Sequence, residues 1–163
     1  MTIRSCLLAI LLSSTVVHAQ NVNTAVQTTA DKKFDFSAVK TYSWEKGQES
    51  FDPVSHKAIV AAVDAELAAL GLVKQASKGD VSVRYHSVGR TGVDLKNQKK
   101  GESAPTYEVG KVVVDLLAGQ SFKRVWQATT EERLSKDTPA REAEIQRAIA
   151  RIFGSYPGRK KPA

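Results

Sequence analysis

The sequence predicts an α+β domain of two layers: a mostly antiparallel sheet of four to five strands, with two helices packed on one of its faces. Three observations lead there. Two stretches carry apolar residues at helical spacing, and both open on a capping residue followed by proline, at Asp52-Pro53 and Thr138-Pro139. Between them, the stretch from Asp80 to Val88 alternates apolar and polar residues with the period of a half-buried strand. Two further β-rich runs, Val109 to Leu117 and Phe122 to Glu131, stand on either side of Ala118-Gly119-Gln120-Ser121, the pattern of a hairpin.

In chain order, Val22, Thr24, Val26 and Thr28 alternate within residues 20–30, which read either as a first strand or as a flexible lead-in. A turn-like segment with Phe34 and Phe36 leads into Lys40-Thr41-Tyr42-Ser43-Trp44, a strand whose Tyr42 and Trp44 share a face. After the polar loop from Glu45 to Phe51 comes the first helix, with Ile59, Val63, Leu67 and Leu70 as its stripe and Gly71 as its stop. The next strand turns Val81, Val83 and Tyr85 inward and Ser82, Arg84 and His86 outward. Gly89 to Pro105 has no period and carries Lys96, Lys99 and Lys100, so it reads as a long, basic, mobile loop. The two β-rich runs are expected at the centre of the sheet. The last helix has Ile145, Ile149, Ile152 and Phe153 as its stripe, with Gly154 and Pro157 closing it, and residues 158–163 form a basic tail.

Residues 1–19 read as a cleavable signal peptide. Arg4 precedes an apolar run through Leu11, Leu12, Val16 and Val17, and Val17-His18-Ala19 precedes Gln20 as a small-residue cleavage site. The run is interrupted by Ser13, Ser14 and Thr15 and is well short of the ~20 residues that span a bilayer. The expected compartment is the periplasm, or the medium if the product is fully secreted, with no transmembrane segment in the mature chain. Cys6 is the only cysteine and leaves with the signal. That excludes disulfides, cysteine nucleophiles and thiolate metal sites from what remains. Residues 31–157 are expected to form a single domain, large enough to bury a core without staples.

The chain has 24 Lys and Arg against 17 Asp and Glu, a formal net charge of +7, of which Arg4 supplies one unit within the signal. A basic exported protein suits anionic surfaces of the envelope. Nucleic acid is the usual alternative for a basic chain, but no aromatic-basic recognition motif supports it.

Three stretches together resemble the bacterial envelope domain-of-unknown-function family 4136, whose members are secreted proteins and lipoproteins. They are Phe34-Asp35-Phe36-Ser37 leading into Lys40 to Trp44; Asp64-Ala65-Glu66-Leu67 with Gly71-Leu72 and Asp80 to Tyr85; and Gly110 to Asp115 with Val125-Trp126. The resemblance implies an α+β envelope domain with no established enzymatic activity and no catalytic residues to carry over. No cysteine stands at the cleavage point to take a lipid, which implies a soluble product.

Candidate sites are few. Asp52 and His56 share a helix face at a spacing a metal site could use, but two ligands are too few, and a capping aspartate beside a solvated histidine explains them. Arg84 and His86 share the outward strand face, where they could meet an anion or simply be solvated. Asp64 and Glu66 fall on different helix faces and form no carboxylate pair. Asp80 and Asp115 could approach one another only through the sheet. Trp44, Tyr85 and Trp126 could line a pocket for an apolar ligand, although packing in the core is the default for strand aromatics. Nucleophile-elbow, phosphate-loop and zinc-protease signatures are missing.

The function expected from sequence is therefore a non-enzymatic binding or structural domain, without cofactor or metal. It would contact an anionic envelope surface or a protein partner through Arg84, His86, Lys96, Lys99 and Lys100, with the tail cations Arg159, Lys160 and Lys161 assisting. The alternatives are a hydrolase-like enzyme with a scattered site and a binder of small apolar ligands.

Overall fold

Helix α1 (Pro53–Ala69) begins where Asp52, in extended conformation, accepts hydrogen bonds from the Val54 and Ser55 amides. Pro53 occupies the first turn, where its missing N–H leaves nothing unsatisfied. The helix ends at Gly71, whose φ of +83° disfavours any residue with a side chain, and the Leu72 amide turns back to the Leu67 carbonyl. Ile59, Val63 and Leu67 are buried as the spacing requires. Helix α2 (Thr138–Gly154) buries Ile145, Ile149, Ile152 and Phe153. Its cap is Asp137, one residue before the expected Thr138, because the Asp137 carboxylate reaches the Ala140 amide at 3.0 Å.

The computed structural model describes residues 22–119 and 121–159. The expected signal peptide and its cleavage point, Gln120 and the tail cations Lys160 and Lys161 lie outside the described residues. The strands among the described residues are β1 (Gln27–Ala30), β2 (Thr41–Trp44), β3 (Val73–Lys74), β4 (Val81–Val93), β5 (Thr106–Ala118) and β6 (Arg124–Leu134). They form one sheet in the order β1-β6-β5-β4-β2-β3.

The fold is α+β with two helices, but the sheet has six strands and is mixed, against the expected four to five mostly antiparallel ones. β1–β6, β5–β6 and β4–β5 are antiparallel, whereas β2 is parallel to both β3 and β4. The parallel half follows from connectivity. After β2 the chain crosses through α1 before it rejoins the sheet, and a helical crossover returns it in the same direction. β3 was missed because two residues carry no period. β5 and β6 lie inside the sheet, as expected, with β4 beside them.

The alternation in β4 is as expected: Val81, Val83 and Tyr85 face the helices together with Val112, Val114 and Leu116 of β5 and Trp126 and Ala128 of β6. At the β5–β6 pair a register shift at Leu116/Leu117 takes up an extra residue, and Val125 and Trp126 are both buried.

The region from Gly89 to Pro105 is not a long loop. β4 runs on to Val93 and β5 starts at Thr106, paired without a break from Val81↔Ala118 to Val93↔Thr106. Only the tip, with a 3-10 turn at Leu95–Asn97 capped by Asp94, lies outside the ladder. Cross-strand hydrogen bonds hold this arm where the sequence offers no apolar alternation.

Candidate functional site

On the sheet face away from the helices, Arg84, Asp115 and Gln127 stand side by side across β4, β5 and β6 in register. Asp115 is only 1% exposed. It accepts Arg84 Nε at 3.0 Å and Gln127 Nε2 at 2.7 Å, and His86 Nε2 lies 3.6 Å away. The other ring nitrogen of His86 accepts the Gln48 amide at 3.1 Å, which directs its Nε2 proton toward Asp115. The sequence places Arg84 and His86 on one face, and the structure brings them together around Asp115. Nothing in the valine-rich run marked that carboxylate as their hub. Asp80 does not join it. Several rungs of the ladder separate the two, and Asp80 Oδ2 is spent on the Lys40 and Thr41 amides at 2.9 Å each, which hold its carboxyl below the usual range.

Lys96, Lys99 and Lys100 sit exposed at the tip of the β4–β5 hairpin, where no ion pair or side-chain hydrogen bond engages them among the described residues. Val93 and Leu95 beside them are also exposed, at 46% and 42%. Of the acids here, Asp94 caps the turn and lies 3.8 Å from Arg133, and Glu102 is exposed. The tip therefore carries an excess of positive charge beside open apolar side chains. Arg159 of the basic tail is engaged elsewhere, with Glu66 at 2.9 Å.

The remaining candidates resolve into supports of the fold. Asp52 caps α1 and accepts Arg141 Nη1 at 3.0 Å; the Ser55 hydroxyl, then its amide and Arg141, lower its pKa despite the burial that opposes them. His56 Nδ1 lies 2.6 Å from the Tyr85 hydroxyl rather than beside Asp52. Among the described residues no group of three or more His, Cys, Asp or Glu gathers as a metal site would require. Asp64 takes Tyr42 Oη, Trp44 Nε1 and Lys74 Nζ, while Glu66 faces Arg159. Trp126 is packed against Phe153 and Tyr156, and Trp44 stands edge-on to Tyr85.

A cleft of about 360 Å³ opens elsewhere, between the start of α1, the first turns of α2 and the outer half of the β4–β5–β6 surface. Its floor is bare where Gly89 faces Gly110 across the ladder. Ile59, Val112, Leu134, Ile145 and Ala148 line it, and Phe51, 98% exposed, stands at its lip. None of Trp44, Tyr85 and Trp126 lines it. The signal sequence reasoning passed over was the pair of glycines inside strands, which often marks a close approach or an opening.

The elements define a two-layer α+β domain with a crossover helix and a protruding hairpin. The model of a domain of unknown function, DUF4136, matches residues 26–158, and the chain belongs to that family. No match is found among curated proteins. Among solved structures, the chain is similar to a PDZ domain protein from Parabacteroides distasonis (TM-score 0.55, 16% identity), covering 86% of this chain but only 37% of that one, so it spans little more than a third of that protein. It is also similar to PelC from Paraburkholderia phytofirmans, crystallised as a dodecamer (TM-score 0.50, 14% identity, 79% and 96% covered). A third is lipoprotein GNA1162 from Neisseria meningitidis (TM-score 0.46, 10% identity, 71% and 99% covered). At these identities the likeness to the first two is one of fold. No helix among the described residues is long and apolar enough to cross a membrane.

Proposed function

We propose that the mature chain is a non-enzymatic binding domain of the bacterial envelope, periplasmic after signal cleavage near Ala19-Gln20, that docks on anionic phospholipid through the tip of the β4–β5 hairpin. The observation that carries this reading is the tip itself: Lys96, Lys99 and Lys100 without side-chain partners among the described residues, beside exposed Val93 and Leu95. Lysines near an anionic leaflet contribute roughly 1 kcal/mol each, and adjacent apolar side chains can enter the headgroup region. Arg84 and His86 lie at least seven residues down β4 from Val93, gathered around Asp115, and are not part of this docking surface.

The test is co-sedimentation of the purified mature protein with phosphatidylglycerol vesicles and with phosphatidylcholine vesicles. The proposal expects retention on the first alone, weakening as salt rises, because exposed charges are screened over about 8 Å at physiological ionic strength. Equal retention on both, or on neither, overturns it. The compartment is tested separately by the N-terminus of the protein recovered from cells: a start within a residue or two of Gln20 supports export, and an intact Met1 defeats it.

A further inference from the structure

The cleft beside Phe51 is a separate feature from the basic tip, and its chemistry specifies a different ligand. Its walls are aliphatic: Ile59 on α1, Val112 on β5, Ile145 and Ala148 on α2, and Leu134 at the end of β6. Four of its five charged residues, Asp52, Glu108, Glu132 and Arg141, are paired within the protein, and the fifth, Lys111, stands opposite Glu131 at a position of β5 that alternates with the helix-facing Val112 and Val114. Arg141, 18% exposed, is held by Asp52 at 3.0 Å and by Glu108 at 3.6 Å, and Glu132 is held by Arg151 at 2.6 Å. A ligand charge entering here would have to compete with those pairs, so the part of a ligand that enters gains from apolar contact alone. The floor is bare because two glycines face each other. A methyl added at Gly110 would press on Leu134 at 2.8 Å, whereas one added at Gly89 would meet nothing within 4 Å. Gly89 therefore opens directly onto free space, and the cleft falls in the size range of small-ligand sites, roughly 300 to 1,000 Å³.

We propose that this cleft binds a single uncharged aliphatic tail, laid over the Gly89–Gly110 floor and covered at its open side by Phe51. The exposure of Phe51 is then that of a lip which gains contact when the tail is present. The tail's source is either a free amphiphile or a membrane lipid, and both present the same methylene chain to the cleft.

The proposal is tested with N-phenyl-1-naphthylamine, an uncharged fluorescent probe of apolar sites, and displacement by 1-decanol. The mature protein should show one saturable site emptied by 1-decanol or by phospholipid vesicles. Gly89→Leu, whose side chain grows into the opening, should weaken probe binding at least tenfold with an unchanged or raised melting temperature. Gly89→Ala, which meets no atom, serves as the milder variant and should weaken it less. Replacing Lys96, Lys99 and Lys100 by glutamine should leave probe binding unchanged, so this result stands or falls apart from membrane docking. Displacement by free 1-decanol and decanoate assigns a free amphiphile, and displacement only by phospholipid vesicles assigns a lipid-borne tail. Absence of a saturable site, failure of both competitors, or equal binding by folded Gly89→Leu overturns the proposal.

Discussion

Tyr42 donates its hydroxyl hydrogen to Asp64 Oδ1 at 2.7 Å, tying β2 to α1 at the point where the chain enters its crossover. Trp44 Nε1 reaches the same oxygen at 2.8 Å and Lys74 Nζ takes the other at 2.8 Å. One carboxylate thus joins β2, α1 and β3. Tyr42 is 2% exposed, so truncating Asp64 leaves a buried hydroxyl without a partner. Asp64→Ala should cost about 2–3 kcal/mol in denaturant unfolding, as expected for charge-assisted bonds with one partner removed. A cost below about 0.5 kcal/mol would show that these bonds do not hold the crossover.

The same carboxylate makes stability pH-dependent. Burial raises its pKa, but Lys74, Tyr42 and Trp44 together outweigh burial and hold it below the ordinary 3.8. The folded state therefore takes up a proton less readily than the unfolded chain. The stabilisation is fully present above the unfolded value and is lost as pH falls through the lower folded one. Asp52 and Asp80 are lowered too and act in the same direction. The unfolding free energy should be level in its carboxylate contribution above about pH 5 and decline below about pH 4. Asp64→Asn should make that decline shallower, and an unchanged decline would assign it to other groups.

Glycines near the sheet divide into two kinds. A Cβ at Gly79 would lie 2.5 Å from the Tyr42 carbonyl carbon and 2.6 Å from the Ser43 nitrogen, which are backbone atoms that cannot step aside. Gly79→Ala should therefore cost more than ~2 kcal/mol or abolish folding. Gly89→Ala should be neutral or stabilise by up to ~1 kcal/mol, since alanine restricts the unfolded chain and meets nothing in the folded one. Parallel thermal melts of the two variants decide it, and equal losses would contradict the open floor of the cleft.

The buried hydroxyl of Tyr156 has no hydrogen-bond partner among the described residues, and burial pushes its pKa up to about 12. Its ring packs edge-on against Phe36 and Trp126, at 5.6 and 5.7 Å between centroids. Tyr156→Phe keeps those contacts and removes the unsatisfied group. Stability should be unchanged or rise by up to ~1 kcal/mol. A loss of that size would mean that the hydroxyl is bonded.

What the sequence made legible was local. Asp52-Pro53 and the stripe of Ile59, Val63 and Leu67 mark α1 because cap, proline and period agree within one segment. The face of β4 followed from Val81, Val83 and Tyr85 in the same way. What could not be read depends on partners distant in the chain. β3 is a strand only because β2 lies beside it. Gly89 to Val93 pair with Thr106 to Gly110 without any apolar alternation to announce it. Asp115, one acid among valines and leucines, acquires meaning from Arg84 on β4 and Gln127 on β6. The cleft depends on two glycines meeting across a ladder, and their juxtaposition is a matter of register. The outward placement of Arg84 and His86 was legible, while the buried carboxylate between them was not.

The proposed docking of the hairpin tip on anionic lipid rests on Lys96, Lys99 and Lys100. The most direct measurement compares the wild-type mature protein with the triple glutamine variant on phosphatidylglycerol vesicles across a salt series, with melting temperatures taken in parallel. At roughly 1 kcal/mol per lysine, the variant should bind about a hundredfold more weakly at low salt. It should also show a shallower salt dependence, with no change in melting temperature, because the three side chains hold nothing in the fold. Equal affinity and equal salt dependence in the two proteins would contradict the account.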